Sequence, residues 1–153
     1  MRGQEARDQA ERKAIMATLA QSPGEDIARL WSEAGLPLEA ELLRGPETGL
    51  VTVRGRIGGG GAPFNVGEAT VTRATVRLPS GQVGHCYTLG RDKRKAKLAA
   101  IADALWQEPA HREAVETRLV APLRAALVEA RDRRRAETAA TKVDFFTMVR
   151  GED

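Results

Sequence analysis

With 153 residues, of which 42% are hydrophobic and 29% charged, the chain is too apolar for a disordered protein and too charged for a membrane protein. No apolar run nears the ~20 residues that span a bilayer; the polar start MRGQEARDQAERK leads into no signal-peptide core, and a single cysteine, Cys86, allows no internal disulfide. The expectation is one cytoplasmic domain over 1–153, without membrane contact, burying roughly two thirds of the surface its unfolded chain exposes.

Taken in chain order, the helical spacing of Ala14, Ile15 and Leu19 predicts a helix over about 5–20. The stretch SPGE then reads as a new start, with Ser22 as N-cap, Pro23 at the first helical position and Glu25 three residues beyond the cap. This second helix carries Ile27, Leu30 and Trp31 and stops at Gly35, ahead of Pro37. From there the period becomes two, over 38–43, 49–57 and 68–78. LPSGQV predicts a tight turn into a fourth strand over 82–89. With Ser80 and Gly81 as the turn pair, Leu78 faces Val83, Val76 faces His85 and Ala74 faces Tyr87 on a buried side; Arg73, Thr75 and Arg77 share the other side. Arg54 and Arg56, two apart, also share a face.

Asp92 is a suitable cap for a helix over 92–107 with Leu98, Ile101 and Leu105 in its stripe, ended by Pro109. A helical stretch over 111–120 is interrupted at Pro122, which suits the first turn of a further helix to about Ala140. The chain closes with KVDFFTMVRGED, an extended apolar tail holding two of the three phenylalanines. Its alternation puts Val143, Phe145, Thr147 and Val149 on one side and Phe146 and Met148 on the other, so two surfaces are needed to bury it. The fold class is α+β: an antiparallel sheet of about four strands flanked by N-terminal and C-terminal helices.

Two basic clusters stand out. GRDKRKAK sets Arg91, Lys93, Arg94, Lys95 and Lys97 against Asp92, and RDRRR sets Arg131, Arg133, Arg134 and Arg135 against Asp132. Such clusters attract phosphates, though a solvated helix face is the ordinary reading of either one taken alone. The run RIGGGGAPF would let successive backbone N–H groups approach a phosphate. It lacks the lysine and hydroxyl of a P-loop and the GxGxxG spacing, so a hairpin connection is the competing reading. His85 is expected as a core imidazole; with only His111 besides, no zinc set forms. Cys86 reads as a small buried residue, with no other histidine in its segment to activate it. Glu47, Glu68 and Asp92 lie near the glycine and arginine segments, but nothing in their spacing marks an acid–base pair. Neither a metal site nor a catalytic residue is assigned.

The segments ETGLVTVRGRIGGGG, FNVGEATVTRATVRLPSGQVGH, LGRDKRKAKLAAIADAL and KVDFFTMVRGED together resemble the G subunit of the bacterial carbon-phosphorus lyase system for phosphonate breakdown. The likeness runs from about Glu47 to Gly151. It is strongest at Gly58, Gly59, Gly61 and Phe64, at Thr70, Thr72 and Arg73, and at Gly90, Arg91 and Asp92; VDFFTMVRG resembles the family's signature ending. Residues 1–46 match only in helical character and length.

The resemblance implies a transferase subunit that is inactive alone and acts with the H, I and L subunits. Together they displace adenine from ATP, supplied with magnesium, by an alkylphosphonate, giving α-D-ribose 1-alkylphosphonate 5-triphosphate. It further implies a stable core with the H, I and J subunits, catalysis centred on the I subunit, and later bond cleavage by the J subunit. No cofactor is expected in this subunit. The residues expected to contact substrate or phosphate are Gly58, Gly59, Gly61, Arg73 and Arg91; those expected to dock a partner are Phe145, Phe146, Met148 and Arg150. The alternatives are a phosphate- or nucleic-acid-binding interaction module without a catalytic role, and a free-standing nucleotide enzyme. An aromatic content of 4% argues against nucleic acid, for want of stacking platforms.

Overall fold

A computed structural model describes residues 2–141. Helix α1 (Arg2–Gln21) turns sharply into α2 (Gly24–Ala34), which buries Ile27, Leu30 and Trp31 at the i, i+3, i+4 spacing of one helix face. Gly35 ends α2 in the left-handed conformation, φ 62°, its N–H donating to the Trp31 carbonyl at 3.1 Å. Ser22 differs from expectation. Its Oγ donates to the Thr18 carbonyl at 2.8 Å, and α2 has no side-chain cap. The hydroxyl is buried in the corner between the helices, where it satisfies a carbonyl at the open end of α1. The Ala20 carbonyl is met in the same way by Thr88 Oγ1 at 2.9 Å and Lys95 Nζ at 2.7 Å.

The sheet has three antiparallel strands, β1 (Glu41–Gly55), β2 (Phe64–Arg77) and β3 (Val83–Leu89), in that spatial order. The expected strands over 38–43 and 49–57 form one strand, so the count is three and not four. β1 passes Gly45 and Pro46 through register irregularities at Leu42/Arg44 and Arg44/Glu47. It is an edge strand, and a bulge on an edge accommodates a proline that has no N–H to give.

The β2–β3 register also differs, by one residue. Val83 lies opposite Arg77, His85 opposite Thr75, Cys86 opposite Ala74 and Tyr87 opposite Arg73. The loop has three residues, Pro79, Ser80 and Gly81: Leu78 N–H donates to the Gln82 carbonyl at 2.9 Å, and Gly81, at φ 95°, donates to the Leu78 carbonyl at 2.8 Å. A slip of one reverses every β3 side chain. Gly84, Cys86 and Thr88 point inward, while His85 and Tyr87 are exposed, so His85 is not a core imidazole.

Helix α3 (Lys93–Trp106) packs across the inner face of β2 and β3. It is capped by Asp92, whose Oδ1 accepts from Lys95 N–H at 2.8 Å. Its run of buried alanines admits close approach: a Cβ on Gly84 would collide with the Ala100 carbonyl oxygen and lie 2.6 Å from the Ala104 nitrogen. Pro109 opens α4 (Pro109–Ala114) as well as ending α3. A π-helical turn, Val115–Val120, then leads into α5 (Ala121–Ala140) without a break. The Ala121 N–H donates to Glu116, five residues back, and this wider turn accommodates Pro122 where an interruption was expected. Val115, Leu119, Val120 and Leu123 complete the core with Ile15, Leu19, Val76, Ile101 and Leu105. Arg112 stacks over Trp106, 3.9 Å from the ring centroid, and pairs with Asp8 and Glu11 of α1. No described helix is long and apolar enough to cross a membrane. The expected tail, with Phe145, Phe146, Met148 and Arg150, lies outside the described residues.

Candidate functional site

β3 pairs only with Val71 to Arg77, whereas β1 and β2 stay paired out to Gly55 and Phe64. Beyond Thr70 the sheet therefore continues as a two-stranded ribbon with no third strand and little cover. Leu50, Val53, Phe64 and Val66 are exposed along it, and Ile57, at its end, is 77% exposed. Scattered exposed apolar residues are ordinary, but a run of them along one projecting element marks a surface for contact. The glycine segment closes the ribbon: Ile57–Gly59 form a 3-10 turn with Gly58 at φ 62°, and Gly61 N–H donates to the Ile57 carbonyl at 3.3 Å.

Arg73 stands on the exposed face of the sheet proper. Its Nε and Nη2 donate to Glu47 Oε2 at 3.2 and 3.1 Å, opposite Tyr87, beside a small cavity of about 160 Å³ that Thr48 and Val71 also line. A second cross-strand pair joins Arg77 to Glu41 at 2.7 Å, and Thr75 Oγ1 lies 3.3 Å from His85 Nδ1. These exposed pairs contribute little to stability, each under about 1 kcal/mol; their effect is to order a polar, charged face.

Arg91 follows a corner fixed by the buried Thr72 and the half-buried Thr70. Gly90, at φ 92°, donates its N–H to the Thr70 carbonyl at 2.9 Å, while its own carbonyl accepts from Thr72 Oγ1 at 2.7 Å. Thr72 Oγ1 also lies 3.0 Å from Thr48 Oγ1. Thr70, Thr72, Gly90 and Asp92 thus set the direction in which the exposed Arg91 leaves β3 and α3 begins.

Arg73 and Arg91 both lie near the root of the ribbon. The glycines Gly58, Gly59 and Gly61 lie at its far end, beyond Phe64, and nine strand residues at ~3.3 Å each separate Phe64 from Arg73 by roughly 30 Å. Within one chain, then, the two sets are not brought together. Of the nearby carboxylates, Glu47 is held by Arg73, Asp92 caps α3, and Glu68 is exposed on the ribbon opposite Thr52.

The buried ionisable groups lie elsewhere. Asp103, fully buried on α3, accepts from Arg12 Nε and Nη2, each at 2.8 Å, and from the His85 backbone N–H at 2.8 Å. The hydrogen bond to Asp103 raises the Arg12 pKa against the opposing effect of burial. Lys95, expected in a basic surface cluster, turns inward to the end of α1, and burial lowers its pKa, opposed by Cys86 and Asp92. Burial also pushes the Cys86 thiol up to about 11, with Asp103 adding to the shift and Lys95 opposing it. At neutral pH that thiol keeps its proton and is a poor nucleophile. Both inward groups left a trace in the sequence. Asp103 interrupts the apolar run LAAIADALW, and Lys95 precedes Leu98 and Leu105 at helical spacing in the buried stripe.

Among the described residues no three carboxylate, histidine or cysteine side chains are gathered as metal ligands. The charged sheet face, the threonine-fixed corner and the projecting apolar ribbon all belong to one α+β fold. The family described as phosphonate metabolism protein PhnG matches residues 10–151, and the chain belongs to this family. It is 57% identical over 145 residues to the alpha-D-ribose 1-methylphosphonate 5-triphosphate synthase subunit PhnG of Rhizobium meliloti (strain 1021), covering 94% of this chain and 92% of that relative. The match takes in the N-terminal helices, which the sequence motifs alone tied to the family only by helical character.

Proposed function

We propose that this chain is the PhnG subunit of an alpha-D-ribose 1-methylphosphonate 5-triphosphate synthase, working in the cytoplasm with the H, I and L subunits. The observation that carries the reading is the 57% identity, over nearly the full length of both chains, to a relative bearing that name. In the reaction the phosphonate oxygen bonds to C1' of the ATP ribose and adenine leaves from the same carbon. ATP, with magnesium, is a substrate of the complex, and this subunit supplies no cofactor.

The subunit's own part is to complete and position the assembly. Arg73, Arg91 and the glycine segment offer cations and backbone donors, the equipment of a contact surface for a phosphate or a partner. Arg91, exposed at a corner fixed by Thr70 and Thr72, is suited to a phosphate contact, and Arg73, paired with Glu47 on the sheet face, is a second cation. Gly58, Gly59 and Gly61 meet a phosphate or a partner at a separate point on the assembly, because the ribbon holds them far from both arginines. The segment with Phe145, Phe146, Met148 and Arg150 docks a partner subunit through one of its two rows of side chains, and the resemblance implies that the core it joins is made with the H, I and J subunits. Affinity capture from the native host tests the reading. The tagged chain is expected to bring down the other subunits in fixed stoichiometry, and a Phe145→Ala/Phe146→Ala chain to retain its circular dichroism but lose the partners. Recovery of the wild-type chain alone would overturn the assignment.

A further inference from the structure

Helices α1 and α5 together line an open groove of about 820 Å³. Its floor is apolar, with Ala17 from α1 and Leu127 and Val128 from α5; Arg131 and Arg135 stand along it, and it runs to Ala139. Val128 is 52% exposed, and every residue from 131 to 141 is exposed, so the described residues leave the second half of α5 without cover. A surface of this size and composition holds several large side chains.

We propose that residues 142–153 of the same chain occupy this groove. Three observations on reach, chemistry and charge point to that occupant. The chain leaves α5 at Thr141, beside the groove's own end at Ala139, and the remaining 12 residues, if extended, span up to roughly 40 Å. The α5 wall from Arg124 to Ala139 is only about 22 Å long, so the segment can run back along its whole length. Val143, Phe145, Phe146, Met148 and Val149 match the apolar floor. Asp144, Glu152 and Asp153 outnumber Lys142 and Arg150, and they meet a wall that carries several arginines. Because the segment alternates, one row of side chains fills the groove and the other faces outward, ready for a partner. The inference does not depend on which reaction the assembled complex performs.

Disulfide trapping in the full-length chain tests it. Val128→Cys is combined with Phe146→Cys, and the control pairs Phe146→Cys with Leu43→Cys, an exposed position on β1. Under a mild oxidant the Val128 pair is expected to close within one chain at least about ten times faster than the control, as befits a tethered segment at high local concentration. The product is a monomer of altered mobility on a non-reducing gel, and the cross-link still forms when partner subunits are added before the oxidant. A cross-linked dimer as main product assigns the groove to a second copy, and failure of the cross-link to form with partners already present assigns it to one of them. Either outcome, or closure no faster than the control, overturns the proposal. Trypsin provides a second readout in a chain without new cysteines: cleavage after Lys142 and Arg150 should accelerate several-fold in Leu127→Glu, with unchanged circular dichroism. Equal cleavage of wild type and variant also overturns it.

Discussion

Replacing Asp103 by alanine should be among the most damaging single changes available in this fold. The carboxylate is fully buried and joins three elements: Arg12 of α1 donates twice to it, the His85 backbone of β3 donates once, and Asp103 itself sits on α3. Breaking a buried ion pair by removing one partner typically costs about 3 to 5 kcal/mol. Arg12 is about one third exposed and regains hydration in the variant, which brings that part of the cost down to about 1 kcal/mol. The His85 N–H is left without an acceptor, adding about 1 to 3 kcal/mol. The expected net loss for Asp103→Ala is about 2 to 4 kcal/mol, and for a chain of this length that lowers Tm by roughly 5 to 15 °C. Asp103→Asn keeps an acceptor for His85 and should lose about half as much. Urea denaturation followed by circular dichroism measures both, and an Arg12→Ala/Asp103→Ala cycle should give a coupling above about 1 kcal/mol. A loss below about 1 kcal/mol for Asp103→Ala would refute the view that this carboxylate ties α1, α3 and β3 together.

Three further outcomes are expected. Gly84→Ala forces a methyl group into the α3 backbone and should destabilise by about 3 kcal/mol, whereas Gly67→Ala, with nothing near the added carbon, should cost under about 1 kcal/mol; equal losses by denaturation would contradict the β3–α3 contact. The Cys86 thiol, raised from 9.0 to about 11, keeps its proton in the folded state where the unfolded chain releases it, so its stabilisation is complete below pH 9 and is lost as pH rises toward 11. Lys95, with its pKa lowered from 10.5, acts in the opposite sense just below that pH. Cys86→Ala should therefore flatten the alkaline decline by about 2 to 3 kcal/mol, and an unchanged slope in denaturation between pH 9 and 11 would show the thiol is not held neutral. Arg91→Ala should raise the ATP concentration needed by the assembled complex about ten-fold or more, the effect of losing a charge-assisted contact of roughly 1.5 to 3 kcal/mol; unchanged ATP dependence in a complex shown intact by native mass spectrometry would remove Arg91 from the site.

The sequence carries the local features of the fold well, because each depends on a few adjacent residues. Gly35 ends α2 and Asp92 caps α3 through bonds that span three or four positions. What it carries poorly depends on the choice between two locally acceptable geometries. LPSGQV closes equally well as a two-residue or a three-residue loop, and the difference of one residue decides whether His85 or Cys86 is buried. Gly45-Pro46 reads as a strand break and is instead absorbed by bulges, while Pro122 reads as a helix break and is absorbed by a π turn. The candidate site shares this limit. Glycine and arginine motifs are visible one by one, but the length over which β1 and β2 stay paired, which sets the glycines far from Arg73 and Arg91, emerges only from the register. The inward turn of Lys95 likewise depends on α1 ending where its ammonium can reach Ala20.

The most direct test of the account is adenine release from ATP and methylphosphonate. The chain assayed alone should release none, the H, I and L subunits without it should release little or none, and all four together should turn over steadily. Robust release by the isolated chain would contradict its standing as a dependent subunit, and full activity of the other three without it would contradict its part in the synthase.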